Sequence, residues 1–398
     1  MKKIKVIHIA YSDYIGGASR AALRIHKSLL KSNEVYSDLY VINKSLEKNT
    51  NVHKIEKNNI IYLFKLLFNK VINKFFIGKM SILSLNIFSS LKGNFLNNLD
   101  FDVVHLHWIN NETISIKEIS KIKKKIIWTC HDMWPFLGAY HYMDKTNKYG
   151  INFIDKIILN LKKKYLLNKK INFVGVSSWV KGEINKSIFQ NNNSYFINNP
   201  IDENLWKISN FNEFRKDHNL NFNDFLIGIG NLEENLTERK GINELESALE
   251  TLKNKNFKFK LIEFGNEKNS SFFKKFETIS FGKILSDKLL LKIYNNLDVF
   301  LLPSKLEAFG QVATEAIFCG TPVVGFSNTG LNDIIIHKKN GWLADNFSPL
   351  QLAKGIEFIY DSKLDRNSVR NTIIKKFSYE SISQQYISVY KKSLHDKV

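Results

Sequence analysis

The sequence of 398 residues predicts an α/β protein with two doubly wound parallel sheets. Strand-like and helix-like segments alternate through the first half of the chain, and the alternation begins again at residues 225–230. A helix between consecutive strands indicates parallel pairing, because parallel strands need a long crossover connection. The expected domains are residues 1–200 and 201–377. Residues 378–398 are expected to form a helix that crosses back to the first domain.

Each element is predicted from its hydrophobic pattern. Residues 4–12 are mostly apolar, which is typical of a buried strand, and residues 18–31 have the period of an amphipathic helix. Further strands of the first half are expected at residues 38–43, 103–108, 126–132 and 172–177, with a basic helix at residues 153–170. Strands of the second half are expected at residues 225–230, 258–265, 278–283, 298–303 and 322–326, with helices between them.

The charge and cysteine content limit the class of protein. The formal net charge is +20, from 58 Lys and Arg against 38 Asp and Glu, and this excess reflects either codon bias or attraction to anionic lipid. A nucleic-acid partner is not expected, because no recognisable nucleic-acid-binding module accompanies the charge. The two cysteines, Cys130 and Cys319, do not suggest a disulfide framework and fit a reducing cytosol. No signal peptide or spanning segment is recognised, so a soluble or peripheral protein is expected.

The most informative stretch runs from Glu307 to Glu315. A predicted strand comes directly before it, so it is expected at the carboxyl edge of the second sheet, where a helix begins. The start of a helix leaves backbone N–H groups free, here at Phe309, Gly310 and Gln311, and such a terminus binds phosphate. Two carboxylates beside a phosphate site suit a nucleotide sugar, which carries hydroxyl groups on both sides of a diphosphate.

Three further positions are expected at strand-to-helix turns. Gly16 and Gly17 come between the first strand and the first helix, where glycine permits close approach of a ligand to the backbone. His131 follows a predicted strand and should therefore emerge at the carboxyl edge of the first sheet. Arg239 and Lys240 come just before a predicted helix, where exposed side chains would supply two cations for a diphosphate.

These motifs, in this order, resemble those of the family-4 retaining glycosyltransferases of the GT-B fold. The resemblance covers nearly the whole chain and includes His-Asp-Met-Trp at residues 131–134 and Asn-Pro-Ile-Asp at residues 199–202. The order most resembles that of bacterial transferases of capsule, colanic-acid and O-antigen assembly. The family implies two Rossmann-like domains facing a central cleft, a nucleotide-diphosphate sugar as donor, and a glycan or lipid-linked acceptor in the synthesis of surface polysaccharide, including lipopolysaccharide. It implies no cofactor and no metal.

The resemblance also implies a role for each side chain. Glu315 should bind the ribose hydroxyls of the nucleotide, and Glu307 should contact the donor sugar. His131 should lie near that sugar, and the basic pair Arg239 and Lys240 should contact the diphosphate in place of a divalent metal. The family retains the anomeric configuration, and its favoured mechanism is same-face attack, in which a leaving phosphate oxygen receives the acceptor proton.

The sequence departs from the family pattern in two places, and other functions stay open. Asn231 follows Gly230 where many relatives have arginine, and the block after His131 lacks cysteines that relatives often carry. Another GT-B enzyme, such as a sugar-nucleotide epimerase or a phosphorylase, is an alternative, although a phosphorylase should need a longer chain. A catalytically inactive, basic membrane-binding scaffold is the alternative from a different class.

The segment 59–96 breaks the alternation of strands and helices. It is rich in Phe, Leu, Ile and Lys, with Phe64, Phe68, Val71 and Phe75 on one face of a predicted helix and Lys65, Lys70 and Lys74 largely away from that face. This helix either packs on the first sheet or lies at a membrane surface. The second interpretation predicts a cytoplasmic protein that binds peripherally to the inner face of the cytoplasmic membrane.

Two patterns resemble metal sites. Asp100 and Asp102 flank a phenylalanine, but they come at the start of a predicted strand, the wrong end for a site, and are interpreted as a turn. His105 and His107 alternate onto one face of that strand, but the sequence suggests no further ligands to complete a coordination set. No metal site is therefore expected.

Overall fold

The computed structural model describes residues 3–45, 51–56, 62–68, 71, 83–143, 153–230, 238–265 and 273–395. The chain divides into two compact units, Met1–Pro200 with Tyr379–Val398 and Ile201–Ser378. Each unit contains a parallel sheet with helices between its strands, so the predicted α/β fold with two Rossmann-like sheets is confirmed.

The first unit is built on a sheet of seven parallel strands among its described residues. They are β1 (Ile4–Ser12), β2 (Val35–Asn43), β3 (Val52–Lys54), β4 (Val103–Leu106), β5 (Lys125–Cys130), β6 (Ile171–Gly175) and β7 (Ser194–Phe196). Their spatial order is β3-β2-β1-β4-β5-β6-β7. The helices that follow them in sequence are α1 (Gly17–Leu30), α2 (Gly93–Asn98), α3 (Ile116–Ser120), α4 (Phe153–Leu166) and α5 (Ser178–Ile184).

The second unit contains a sheet of six parallel strands within the described ranges. They are β8 (Leu226–Gly230), β9 (Lys260–Phe264), β10 (Thr278–Ser280), β11 (Val299–Leu302), β12 (Val323–Phe326) and β13 (Gly341–Ala344), in the order β10-β9-β8-β11-β12-β13. The helices of this unit are α6 (Asn212–Asp217), α7 (Ile242–Asn254), α8 (Asp287–Asn296), α9 (Gln311–Phe318), α10 (Pro349–Ser362), α11 (Arg366–Asn371) and α12 (Ile374–Phe377), with a 3₁₀ turn at Gly330–Asp333.

The last helix, α13 (Tyr379–His395), belongs to the first unit although it follows the second unit in sequence. Its apolar face packs along α1, and its Tyr386 and Tyr390 are fully buried in the same core as Val6 and Ile25. Burial of large aromatic side chains contributes strongly to stability, since each removes a large apolar area from water. Helix α13 is therefore part of the core of the first unit.

Both sheets reverse their strand order beside their first strand. β1 lies between β2 and β4, and β8 lies between β9 and β11. In doubly wound sheets, ligands bind beyond the carboxyl ends of the strands at such a reversal. The segments that follow β1, β4, β8 and β11 are therefore the places where each unit is most suited to hold a ligand.

The structure adds strands that the hydrophobic pattern did not predict. β3 and β7 have three residues each, and β13 has four. All three lie at an edge of their sheet. Such short strands show too few residues for a period to be recognised, and an edge strand needs fewer apolar side chains than a central one.

The segment 59–96 does not pack as the core interpretation predicted. Residues 62–68 are helical, and the side chains of Phe64 and Phe68 are 65% and 37% exposed. Val71 is 52% exposed. The described part of the expected core face is thus at the surface, and Phe75, Lys70 and Lys74 lie outside the described residues. Among the helices that the structure describes, none is both long and apolar enough to span a bilayer.

Candidate functional site

In the second unit, the loop after β11 brings Glu307 to the start of α9. Gly310 caps this helix with φ of 97° and ψ of 59°, a left-handed conformation that favours glycine. Gly310 has no side chain with which to cap α9, and the first turn of a helix presents backbone donors that suit an anionic ligand. Phe309 is buried against Phe377, with ring centroids 5.8 Å apart, and this packing anchors the turn.

Lys240 and Glu307 form an ion pair at this turn. Lys240 Nζ lies 3.7 Å from Glu307 Oε2, and the two side chains are 7% and 16% exposed. The sequence predicts that both Arg239 and Lys240 are exposed, and for Lys240 this prediction is wrong. Its ammonium is held inside the site because the carboxylate of Glu307 compensates part of the cost of burying it.

The segment 239–241 is fixed to the loop that carries Glu307. The backbone N–H of Lys305 donates to the carbonyl oxygen of Arg239 at 2.8 Å, and Arg239 Nη1 donates to the carbonyl oxygen of Leu306 at 3.4 Å. Gly241 has φ of 66°, and a Cβ atom there would lie 2.1 Å from the carbonyl oxygen of Pro303. Glycine is therefore required at position 241 for α7 to begin beside the loop after β11.

Glu315 lies one turn into α9 and is almost completely buried. Its side chain is 2% exposed, and Tyr294 of α8 donates a hydrogen bond from its hydroxyl to Glu315 Oε2 at 3.4 Å. Gln311, in the first turn of α9, is partly exposed. The structure thus brings Glu307, Glu315 and Lys240 to one edge of the second sheet. Asn231, where relatives often have arginine, lies outside the described residues.

In the first unit, Gly16 and Gly17 form the start of α1. Gly16 has φ of 86° and ψ of 161°, a conformation that side chains disfavour. A Cβ atom built on either glycine would have no described atom within 4 Å. The space beside both backbones is therefore open, and the requirement for glycine at position 16 comes from its backbone conformation. The N-cap residue is Gly16, which has no side chain with which to cap this helix start.

His131 directly follows β5 and is the partly exposed end of a chain of histidines. Its Nε2 lies 3.1 Å from Nδ1 of His107, which directly follows β4. Nε2 of His107 lies 2.9 Å from Nδ1 of His8 on β1. Burial lowers the pKa of His131 to about 4 and the pKa of His8 and of His107 well below the usual value. All three imidazoles are therefore neutral near pH 7.

The structure corrects the expectation that no further side chain joins His105 and His107 as a possible metal ligand. His8 joins them on the neighbouring strand, and one nitrogen from each of the three rings lies within 4.8 Å of the others. His105 bonds Tyr390 through Nδ1 and Thr129 through Nε2, each at 2.7 Å. Five of the six ring nitrogens thus already have protein partners, so this group serves as a hydrogen-bond network.

The turn after β5 is held by Asp132. Its carboxylate accepts hydrogen bonds from Trp108 Nε1 at 2.9 Å and from the backbone of Trp134 at 3.0 Å, and it pairs with His141 at 2.6 Å. Burial alone would raise the pKa of Asp132, but these contacts outweigh it and the pKa is lowered. The carboxylate therefore stays charged and holds together the turn that follows His131.

Lys162 of α4 also stabilises the segment that follows β5. This side chain of α4 is fully buried and donates to the carbonyl oxygens of Trp134, Leu137 and Gly138. Its burial is not apparent from the basic pattern of the helix. Sequence reasoning missed both His8 and Lys162, although the position of His8 beside His105 follows once β1 is paired with β4.

A family model supports the interpretation of the second unit. Residues 211–376 match the model described as Glycosyl transferases group 1. This range includes the segment 239–241, Glu307, α9 and Glu315. The match covers less than half of the chain, so this part is similar to group 1 glycosyl transferases.

Individual proteins show the same relationship. The chain is 24% identical to the capsular polysaccharide biosynthesis glycosyltransferase CapM of Staphylococcus aureus, over 58% of this chain and 64% of CapM. It is 36% identical to an uncharacterized glycosyltransferase of Methanocaldococcus jannaschii over 26% of this chain and 27% of that protein. The chain thus covers less than two thirds of either relative.

A solved structure extends the comparison to the whole fold. The crystal structure of HepE from Anabaena in complex with UDP-glucose superposes with a TM-score of 0.65. It covers 98% of this chain and 100% of HepE at 16% identity. At this identity the likeness concerns the fold, which is the GT-B fold of glycosyltransferases.

Proposed function

We propose, on the premise that residues 211–376 are a group 1 glycosyltransferase domain, that the protein transfers a sugar from a nucleotide diphosphate to a glycan or a lipid-linked acceptor. The observation that carries this proposal is the ion pair of Lys240 and Glu307 beside the N-terminus of α9, with Glu315 one turn further on. A cation, two carboxylates and the backbone donors of a helix start together match the hydroxyl groups and the diphosphate of such a donor.

The chemistry requires stabilisation of the leaving group. When the bond between the anomeric carbon and the phosphate oxygen breaks, negative charge develops on the diphosphate. Arg239, Lys240 and the N-terminus of α9 supply positive charge for it, and no divalent metal is needed in this scheme. Glu315 would bind the ribose hydroxyls, and Glu307 would hold the sugar and stabilise positive charge at its anomeric carbon. His131 would hydrogen-bond a sugar hydroxyl.

We further propose that the reaction retains the anomeric configuration. The acceptor hydroxyl attacks the anomeric carbon on the face that the phosphate leaves. The new carbon–oxygen bond forms as the old one breaks, and the acceptor proton passes to the leaving phosphate oxygen. No covalent intermediate with a carboxylate is required, so Glu307 acts by position and charge.

The comparisons support the substrate classes. HepE was solved with UDP-glucose, and CapM is named for capsular polysaccharide biosynthesis. A nucleotide-sugar donor and an acceptor in bacterial surface polysaccharide, such as capsule or lipopolysaccharide, are therefore our proposal for this chain. A sugar-nucleotide epimerase would use the same donor, and it would be distinguished because it needs no acceptor.

A panel of nucleotide sugars tests the donor. A donor that binds only the folded state raises the melting temperature, and at a concentration of 100 times its Kd it adds about 2.7 kcal/mol of stability. We expect at least one donor, and its free nucleoside diphosphate, to do so. Arg239→Ala should reduce the shift, whereas Lys275→Ala, at a side chain 62% exposed, should not. If no donor stabilises the protein and none is hydrolysed or transferred, the assignment fails.

We also propose that the protein acts in the cytoplasm and binds the inner face of the membrane peripherally. Five apolar side chains in and near the helical residues 62–68 lie at the surface. They are Leu63 (58% exposed), Phe64 (65%), Leu67 (59%), Phe68 (37%) and Val71 (52%). We call this group the apolar surface patch. Together with a net charge of +20, it has the chemistry that binds an anionic bilayer, where apolar insertion adds to charge attraction.

A further inference from the structure

The histidine chain crosses three adjacent strands of the first sheet. His8 lies on β1, His107 follows β4 and His131 follows β5, and these strands are neighbours in the order β1-β4-β5. His8 is fully buried, His107 is 1% exposed, and only His131 of the three is partly exposed. The histidine chain therefore connects the interior of the sheet with the side chain of His131 at its carboxyl edge.

A neutral imidazole carries one proton on its two ring nitrogens, so the histidine chain can have only two proton arrangements. Each contact joins two ring nitrogens, one of which must donate while the other accepts. His107 is bonded at both nitrogens, at 2.9 Å and 3.1 Å, so it donates on one side and accepts on the other. The tautomer of His8 therefore determines the tautomer of His107, which determines that of His131.

The burial of His8 selects between the two arrangements. Its Nε2 is buried and has no hydrogen-bond partner among the described residues. A proton on Nε2 would leave an N–H group buried without an acceptor, which folded proteins rarely tolerate. The proton is thus on Nδ1, from which His8 donates to Nε2 of His107. His107 must then donate from Nδ1 to Nε2 of His131.

We propose that His107 is a positioning residue which, with His8 behind it, fixes His131 in the Nδ1-protonated tautomer. Nδ1 of His131 has no partner within the described residues, so it presents an N–H group at the partly exposed side of the ring. His131 consequently donates a hydrogen bond to a ligand and does not accept one. The ligand group that it contacts is an oxygen with a free lone pair, such as a hydroxyl or phosphate oxygen.

This inference deepens the proposed role of His131 and rests on the proposed function only in naming a sugar hydroxyl as the ligand group. The tautomer itself is a property of the ligand-free protein. A measurement without substrate therefore tests the inference even if the protein transfers no sugar.

Nitrogen-15 spectroscopy of the full chain with labelled histidines provides this test. At neutral pH we expect His131 and His107 to be protonated at Nδ1 and bare at Nε2. A scalar coupling across the hydrogen bond should join Nδ1 of His107 to Nε2 of His131. A proton on Nε2 of His131, rapid exchange between its tautomers, or no coupling between the two rings would overturn the proposal.

Substitutions at position 107 separate positioning from packing. His107→Gln keeps one donor and one acceptor and should preserve the tautomer of His131, whereas His107→Phe removes both and should leave His131 in a mixture. His105→Gln is the matched control. His105 is equally buried, but its hydrogen bonds go to Tyr390 and Thr129, which are not part of the histidine chain. This substitution should not change the tautomer of His131.

Donor kinetics give the second measurement. We expect His107→Phe to lower kcat/KM about tenfold, as for the loss of one oriented hydrogen bond, with His107→Gln restoring most of it. Melting temperatures of all variants identify any that fail to fold. If His107→Phe folds and keeps the wild-type tautomer of His131, His107 does not set it.

Discussion

Lys240 Nζ lies 3.7 Å from Glu307 Oε2, and the two side chains are 7% and 16% exposed. The pair joins the turn before α7 to the loop after β11, so two segments 67 positions apart meet at one carboxyl edge, as the contact of Arg239 with Leu306 also shows. A charge assembled in this way before the ligand binds needs little reorganisation during the reaction. Lys240 therefore contributes both to the stability of the second unit and to its proposed chemistry.

The first prediction separates these two contributions. Lys240→Met should lower kcat/KM strongly and should also reduce the free energy of unfolding by about 1–3 kcal/mol, because it leaves Glu307 shielded and unpaired. Combining it with Glu307→Gln should restore stability but not activity. Arg239→Ala should lower kcat/KM about ten- to a thousandfold with little change in melting temperature, since Arg239 is only partly buried. Near-normal turnover in Arg239→Ala with Lys240→Met would contradict the assignment.

The second prediction distinguishes the two carboxylates. Glu315→Gln should weaken the binding of the nucleotide donor and of the free nucleoside diphosphate equally, because the proposed contact is to the ribose that both contain. Glu307→Gln should reduce transfer while the affinity for free nucleoside diphosphate stays close to that of the wild type. Titration calorimetry with the nucleoside diphosphate measures the difference. Equal loss of affinity in both variants would show that our division of roles is wrong.

The third prediction concerns metal. Activity should persist in excess EDTA, because Arg239, Lys240 and the N-terminus of α9 are proposed to neutralise the diphosphate. The rate is measured before and after chelation and again after magnesium is added back. Complete loss that magnesium reverses would show that a metal, and not these cations, neutralises the leaving group.

The fourth prediction concerns the apolar surface patch. Wild-type protein should sediment with phosphatidylglycerol vesicles at low salt and be released near molar salt, because charge attraction is screened. Phe64→Ser should weaken sedimentation without lowering the melting temperature, since Phe64 is 65% exposed. Phe222→Ser, at a phenylalanine of the second unit that is 68% exposed, is the matched control and should bind as the wild type. No binding of the wild type at low salt would favour a soluble acceptor.

The fifth prediction follows from the neutral histidines. The pKa of His131 is lowered to about 4, so between pH 6.5 and about 4 the unfolded chain binds a proton that the folded chain does not. The free energy of unfolding should therefore fall as the pH decreases through this window. Burial also lowers the pKa of His8, His105 and His107, so these residues should make the fall in stability larger. Thermal unfolding at a series of pH values measures the slope.

Variants identify the source of that slope. His105→Gln should make it shallower, because glutamine keeps a donor and an acceptor but does not titrate. His395→Gln, at an exposed histidine of α13, should leave it unchanged. A slope that is the same in His105→Gln as in the wild type would mean that His105 does not contribute to it.

The sequence predicted the central elements well and the interior contacts poorly. β1 was expected at residues 4–12 and is found at Ile4–Ser12, because a central parallel strand is buried on both faces and reads as an apolar run. The buried positions of Lys240 and Lys162 were not predicted, since each depends on partners distant in sequence, a carboxylate for Lys240 and backbone carbonyl oxygens for Lys162. Local pattern identifies lysine as a surface residue and contains no information about such partners.

The place of α13 in the first unit has a consequence for synthesis on the ribosome. Residues 201–378 form a unit that is continuous in sequence, so all of its residues emerge together. The first unit, by contrast, shares its core with Tyr386 and Tyr390, which follow the second unit in sequence. Domains usually begin to fold as they emerge, N-terminal ones first. Here the first unit receives the core side chains of α13 only after the second unit has been synthesised, so we expect it to complete its fold after the second unit.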